Sequence, residues 1–233
     1  MTLDEALDAL RQAADPARKA GMSTVGIAVD RALGVSVPKL RTIAKRAGTD
    51  HALATDLWAT GIHEARFLAT LVADPAAITR RTMDRWAADI DSWDVGDAAA
   101  DLFASTPHRD AAIRSWARAD EPYVKRAAFA MIARRAVSDH DANDAAFTRS
   151  FTLIRRAAHD DRNEVKKGVS WALRQIGTRN TALNAAAIAQ AERILAEAND
   201  GIRARRAGAR GARWVARDVL RELTNPAVQA RLT

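Results

Sequence analysis

The sequence predicts an all-α protein, and three of its features support this fold class. Ala, Leu and Arg dominate the 233 residues, and all three favour helices. Glycine and proline are few, at 11 and 6 residues, and they lie where one helix would end and the next begin. Short segments that alternate apolar and polar residues, as strands do, do not occur in the sequence. We therefore expect a succession of helices.

Helix start signals place the boundaries of these elements. Pro38, Pro107 and Pro122 each stand in a position suited to the first turn of a helix, and Asp74-Pro75 separates two more. The connections between the segments are short, so successive helices should be antiparallel neighbours. The predicted helices are 4–14, 17–33, 38–47, 50–60, 62–73, 76–89, 92–104, 108–118, 122–137, 142–158, 162–177, 181–198 and 208–223.

A weak internal repeat groups the helices in pairs. The second helices of successive pairs begin near Ile62, Ser92, Pro122 and Arg162, a period of about 30 to 40 residues. This period is typical of a HEAT-like α-solenoid, in which each pair buries its apolar stripe against the next. We expect about six antiparallel helix pairs in a single domain, residues 1–233 with a core of about 4–223, and a concave side lined by the second helices.

Composition narrows the functional classes. The 36 Lys and Arg exceed the 29 Asp and Glu, giving a net charge of +7 that favours an anionic partner, with nucleic acid the first candidate. The chain has no cysteine, which excludes disulfides, thiol nucleophiles and iron–sulfur clusters. Five scattered histidines do not form an HExxH site, so we expect no metal and no cofactor. Without a signal peptide or membrane span, we expect a cytoplasmic, nucleoid-associated monomer.

The helix predicted over 92–104 has an unusual free face. Its apolar stripe consists of Val95, Ala99 and Leu102. Trp93 and Asp97 are four residues apart and point to the opposite side. A large aromatic side chain on a polar face is costly to expose and usually contacts something. This face is therefore a candidate binding surface.

Two later helices extend that surface. Their apolar stripes are Val124, Ala128 and Met131 in 122–137, and Val165, Val169, Ala172 and Ile176 in 162–177. Arg126 is expected to project opposite the first stripe, beside the small residues Ala130 and Ala133. Trp171, Lys167 and Arg174 are expected opposite the second stripe.

A carboxylate held between two tryptophans in a basic groove has a specific chemical use. Trp58, Trp86, Trp116 and Trp214 are expected to pack in the core or between repeats. Trp93 and Trp171 are instead expected on the inner faces, with Asp97 between them and Arg126 nearby. Such a site suits a cationic, transiently carbocationic species held beside a phosphate backbone.

At these residues the sequence resembles the DNA alkylation repair family of HEAT-like DNA glycosylases, the AlkD-like proteins. The resemblance spans nearly the whole chain in the right order. It rests on segments 92–97 (SWDVGD), 123–128 (YVKRAA), 165–174 (VKKGVSWALR), 33–41 (LGVSVPKLR) and 212–217 (ARWVAR).

The resemblance implies a monofunctional glycosylase that hydrolyses the N-glycosidic bond of positively charged N3- and N7-alkylated purines in double-stranded DNA, without flipping the base. It assigns Asp97 as the essential catalytic carboxylate. Trp93 and Trp171 would pack against the deoxyribose and backbone of the lesion. Arg126 and Arg174 would contact the DNA backbone in a basic groove on the concave face.

Other basic residues are further candidates for phosphate contact. Lys125, Lys166 and Lys167 lie next to the proposed site in sequence. A basic tail follows, which either neutralises phosphates or is a solvated helix face. Its members are Arg203, Arg205, Arg206, Arg210, Arg213, Arg217 and Arg221.

One departure from the family pattern and two alternative functions stand beside this interpretation. Val25 occupies the region where well-studied members carry a tyrosine, which puts in doubt an N-terminal contact to the opposite strand. A noncatalytic relative that recognises branched or distorted DNA could keep the fold and the basic groove. A protein-interaction scaffold has no need for Asp97 between two tryptophans.

Overall fold

The computed structural model describes residues 1–200 and 208–232, and within these ranges every regular element is helical. The all-α prediction is confirmed. The first elements are α1 (Leu3–Gln12), α2 (Pro16–Met22), a 3-10 helix (Ser23–Val25), α3 (Val37–Ala47), α4 (His51–Ala59), α5 (His63–Val72), α6 (Arg80–Ala88) and α7 (Trp93–Ala104). They are followed by α8 (Arg109–Trp116), α9 (Pro122–Ser138), α10 (Ala145–Thr148), α11 (Phe151–Ala157), α12 (Asn163–Gly177), α13 (Thr181–Asn199), α14 (Ala209–Leu223) and α15 (Pro226–Leu232).

The chain divides into two compact units, residues 1–109 and 110–233. In the first unit α5 packs against α3, α4 and α7, and the rings of Trp58 and Trp86 stack in parallel with their centroids 4.3 Å apart. In the second unit α12 packs against α9, α13 and α14. Each unit thus has one central helix, α5 in the first and α12 in the second, that packs against several others.

Three predicted helices differ from the observed ones. The helix expected over 17–33 ends early, because the backbone at Gly26 turns to a φ of +80° that no right-handed helix contains. The helix expected over 142–158 is interrupted between α10 and α11. The helix expected over 76–89 begins at Arg80, where the Thr79 side chain caps it. A further helix that the sequence did not predict, α15, follows the last predicted one.

A buried carboxylate holds the loop that replaces the lost helix. Glu64 is 1% exposed and accepts the backbone N–H groups of Leu33 at 2.8 Å, Gly34 at 2.6 Å and Val35 at 3.2 Å. At Gly34 φ is +83°, and an added Cβ would lie 2.1 Å from the carbonyl oxygen of Asp15. Only glycine fits this approach, so the loop depends on both Gly34 and the Glu64 carboxylate.

Polar contacts in the first unit recur at one repeat length. Leu33 and Glu64 are 31 residues apart, as are Trp58 and Asp89, whose Nε1 and Oδ2 atoms are 2.9 Å apart. Contacts of the same kind in the second unit span 35 and 38 residues, from α9 to the start of α12. Several polar contacts thus span separations within the predicted period of 30 to 40 residues, while others, such as that between Ser170 and Asp218, are longer.

We expect the Glu64→Gln variant to lose about 2 kcal/mol of unfolding free energy, because a buried amide nitrogen would face backbone N–H donors in place of a carboxylate oxygen. Urea denaturation measures this loss. Glu192→Gln makes the same chemical change at an exposed position of α13 and should shift stability by less than about 0.5 kcal/mol. Equal stability of the two variants would contradict the role given to Glu64.

Candidate nucleic-acid interface

The free face of α7 carries the predicted tryptophan in solvent. Val95 is 1% exposed, Ala99 0% and Leu102 6%, so the apolar stripe is confirmed. Trp93 is 40% exposed at the first position of α7. Gly96 allows the helix to approach Ile90, because an added Cβ would lie 3.2 Å from its Cγ2 atom. The helix is thus held closely on one side and presents an indole on the other.

Asp97 follows Trp93 by one turn of α7 and is half-buried. The orientation of Trp93 is fixed by a hydrogen bond from its Nε1 to the backbone carbonyl of Val25, 3.1 Å away. Val25 is itself 57% exposed. The position at which the chain departs from the family pattern is therefore in contact with the candidate site, through its backbone rather than its side chain.

An ion pair that the sequence analysis missed anchors the first turn of α7. His63 Nε2 lies 3.0 Å from Asp94 Oδ2, and both side chains are largely buried. Burial disfavours the charge on each group, but the hydrogen bond and the attraction between them prevail, so the pKa of His63 is raised and that of Asp94 is lowered. The two residues lie in the first turns of α5 and α7, 31 positions apart. The repeat period was the signal that could have paired them.

The structure contradicts the interpretation of Arg126 as a projecting side chain. Arg126 is 7% exposed, and Ala130 and Ala133 beside it are 0% exposed. Its Nη1 donates to the backbone carbonyl of Glu164 at the start of α12, 3.1 Å away. The reason is that α9 packs along α12 with small residues and has no free face there. Phosphate contact by Arg126 stays a prediction.

Lys125 is also engaged within its unit. Its Nζ lies 3.1 Å from Asp160 Oδ2, and Arg162 Nη2 lies 2.6 Å from the same oxygen. The hydrogen bonds from Arg162 and Lys125 outweigh burial and hold the pKa of Asp160 well below its usual range. This ion-pair cluster joins α9 to the turn before α12. A DNA-binding role for Lys125 would therefore compete with an existing contact.

The buried face of α12 is confirmed, whereas its opposite face is only partly free. Its predicted stripe, Val165, Val169, Ala172 and Ile176, is fully buried. Lys167 is exposed and Trp171 is half-buried, with the Arg134 guanidinium 5.3 Å from the ring centroid. Arg174 forms ion pairs with Glu222 and, at 3.6 Å, with Asp218. The face therefore combines an aromatic ring with a solvent-exposed lysine and a paired arginine.

The expectation that four tryptophans pack in the core or between repeats is confirmed as core packing for three of them, whereas the fourth, Trp214, lies outside the core. Trp58, Trp86 and Trp116 are 5% exposed or less, whereas Trp214 is 37% exposed. The Nζ of Lys166 lies 5.2 Å from the ring centroid of Trp214. Trp214 lies outside the core because it is on the side of α14 opposite the buried face.

The basic tail is described in part. Arg213 donates from Nη1 to the backbone carbonyl of Ala198, 2.9 Å away, and so ties α14 to α13. Arg203, Arg205 and Arg206 lie outside the described residues.

Within residues 1–200 and 208–232, no three histidine or acidic side chains come together as a metal site would require. No helix in the described part of the chain is long and apolar enough to cross a membrane.

Comparison with known proteins identifies relatives of this fold. The family model described as "DNA alkylation repair enzyme" matches residues 6–223. A solved structure described as "A new family of proteins related to the HEAT-like repeat DNA glycosylases with affinity for branched DNA structures" superposes with a TM-score of 0.74 at 18% identity, covering 82% of this chain and 83% of that chain. No curated protein matches the chain significantly. The predicted HEAT-like repeat fold is confirmed by the structural likeness.

The His63–Asp94 pair predicts how stability depends on pH. A raised pKa at His63 stabilises the fold fully below its ordinary value of 6.5, and this contribution is lost as pH rises through the raised value. A lowered pKa at Asp94 stabilises above 3.8 and is lost as pH falls through the lowered value. The pair therefore contributes most to stability between pH 3.8 and pH 6.5. Attraction from Glu64 and Asp91 also helps to raise the pKa of His63.

We expect thermal unfolding to show a loss of stability from pH 6 to pH 9 that is smaller in the Asp94→Asn variant, because that variant no longer holds the His63 proton. His140→Gln removes an exposed histidine and should keep the wild-type decline. An unchanged decline in Asp94→Asn would show that the pair does not contribute.

Proposed function

Because the chain belongs to the DNA alkylation repair enzyme family, we propose that it is a glycosylase that hydrolyses the N-glycosidic bond of N3- and N7-alkylated purines in duplex DNA. One observation carries this proposal: α7 presents the half-buried carboxylate of Asp97 one turn after the exposed indole of Trp93. A carboxylate of limited exposure stabilises a developing positive charge better than one in bulk water. The adjacent ring offers an apolar face to a sugar.

The chemistry asks little of the protein beyond this carboxylate. An N3- or N7-alkylated purine carries a positive charge, so it leaves as a neutral base when the electron pair of its bond to C1′ passes to the ring. The sugar takes up the positive charge, which Asp97 stabilises while it orients a water molecule. The water oxygen bonds to C1′ and its released proton passes to solvent. The products are the free alkylated purine and an abasic site, and no general acid is required.

In this proposal α12 supplies contacts to the DNA backbone. Lys167 is exposed and provides a charge for a phosphate, while Trp171 offers a ring to the deoxyribose. Arg174 shares its charge with Glu222 and Asp218, so it contributes less than an unpaired arginine. Arg126 would first have to leave the Glu164 carbonyl, and its role in the free protein is to hold the start of α12.

A second candidate function is DNA binding without base release. The structurally similar family is described as having affinity for branched DNA, and the basic free faces of α12 and α14 suit any DNA backbone. The two functions differ in their need for the Asp97 carboxylate. Binding alone would not require an acid on a surface that attracts phosphates.

We expect Asp97→Asn to release 7-methylguanine from methylated duplex DNA at least about 100-fold more slowly than the wild type, because the amide cannot stabilise a cationic sugar. Single-turnover assays with the protein in excess measure this rate directly. DNA affinity should stay within about twofold, since the substitution removes no phosphate contact.

Asp101→Asn is the matched control. Asp101 lies one turn further along α7 and is exposed, so its substitution should leave base release unchanged. Equal loss in the two variants would point to a general electrostatic effect. Tight DNA binding by a wild type that releases no base would favour the second function, and failure to bind DNA even at low salt would favour a protein scaffold.

A further inference from the structure

The exposed face of α14 is a stripe of three arginines and one tryptophan. Arg210, Trp214, Arg217 and Arg221 follow at intervals of three and four residues and are all exposed. The opposite face of α14 is buried and consists of Ala209, Gly211, Ala212, Val215, Ala216, Val219 and Leu223. An amphipathic helix whose outer face holds an indole among arginines presents an apolar surface to water. Such a face combines an aromatic ring, on which a base can stack, with cations that attract phosphates.

Contacts with α12 extend this stripe. Lys166 places its ammonium group 5.2 Å from the ring centroid of Trp214, which steadies the indole from one side. Lys167 follows it on α12 and is exposed. We name these five residues the α12–α14 surface: Lys166, Lys167, Arg210, Trp214 and Arg217.

The acids on α14 are already used, which leaves the surface strongly cationic. Asp218 accepts a hydrogen bond from Ser170 Oγ at 2.6 Å and pairs with Arg221. Glu222 pairs with Arg174 on α12. The charges of Arg210 and Arg217 therefore face solvent on either side of Trp214, and a polyanion is the partner they fit.

We propose that the α12–α14 surface binds an unpaired nucleotide adjoining a DNA duplex, with the base stacked on Trp214 and its phosphates held by Arg210 and Arg217. Bases within a duplex are covered on both faces by their neighbours, so an indole gains full stacking only from an unpaired base. Arg210 and Arg217 are seven residues apart, roughly 10 Å along the helix, and can contact phosphates on both sides of that base. The inference relies on the proposed function only for DNA as the partner.

The test compares two labelled DNAs that share one duplex, one blunt and one with a short single-stranded overhang. Fluorescence polarisation should show tighter binding of the overhang DNA by the full chain. Trp214→Ala should remove about tenfold of that affinity, as expected for the loss of one stacked base, and should leave the blunt duplex within about twofold. Trp214→Phe keeps a ring and should restore most of the loss.

The controls separate stacking, charge and catalysis. Arg217→Gln should weaken binding of both DNAs, whereas Arg114→Gln, which removes an exposed arginine of α8, should change neither by more than about twofold. An equal loss for both DNAs in Trp214→Ala would overturn the inference in favour of a duplex sugar contact, and no loss would overturn it outright. Base release is measured separately on blunt methylated duplex, so failure of the glycosylase proposal would not alter these binding results.

Discussion

Contacts at the starts of helices, one set within each unit, hold the candidate residues in place. In the first unit the His63–Asp94 pair fixes the first turn of α7. Trp93 and Asp97 lie within that turn or one turn beyond it, so their positions depend on this largely buried pair. In the second unit the Arg126 guanidinium plays the corresponding part by binding the carbonyl of Glu164 at the start of α12. An unpaired buried charge is costly. Removing one partner of such a contact should therefore displace the start of the helix and not only weaken its attachment.

These contacts divide the cations behind the net charge of +7 into two groups. Some cations of the candidate interface hold helices together, and Lys125, Arg126 and Arg174 belong to this group. Others face solvent without serving the fold, and Lys167 and Arg217 are examples. Only the second group is available to phosphates at no cost in structure. Counting basic residues therefore overstates how many are free to bind an anion, and the exposed cations of α12 and α14 are the candidates that remain.

Periodicity predicted those parts of the structure in which a helix has one buried and one free face. The stripes of α7 and α12 were predicted residue by residue, and with them the exposure of Trp93. Periodicity failed for α9, because Ala130 and Ala133 fit equally well on a free face or against another helix. It failed for residues 26–33, where the left-handed backbone at Gly26 ends the helix and the bonds of Glu64 to Leu33, Gly34 and Val35 hold the end of the loop. The exposure of Trp214 was available from its spacing to Arg210 and Arg217, which places it on the polar face of α14.

The central claim is that Asp97 acts on a sugar cation formed because the leaving base is already charged. The most direct measurement compares single-turnover base release from two duplexes that differ only in the lesion, 7-methylguanine in one and uracil in the other. We expect release of the cationic 7-methylguanine and no detectable release of the neutral uracil, because departure of uracil would need a proton donor and the proposed mechanism uses none. Comparable release of both bases would contradict this role of Asp97, because it would show that the site activates a neutral leaving group.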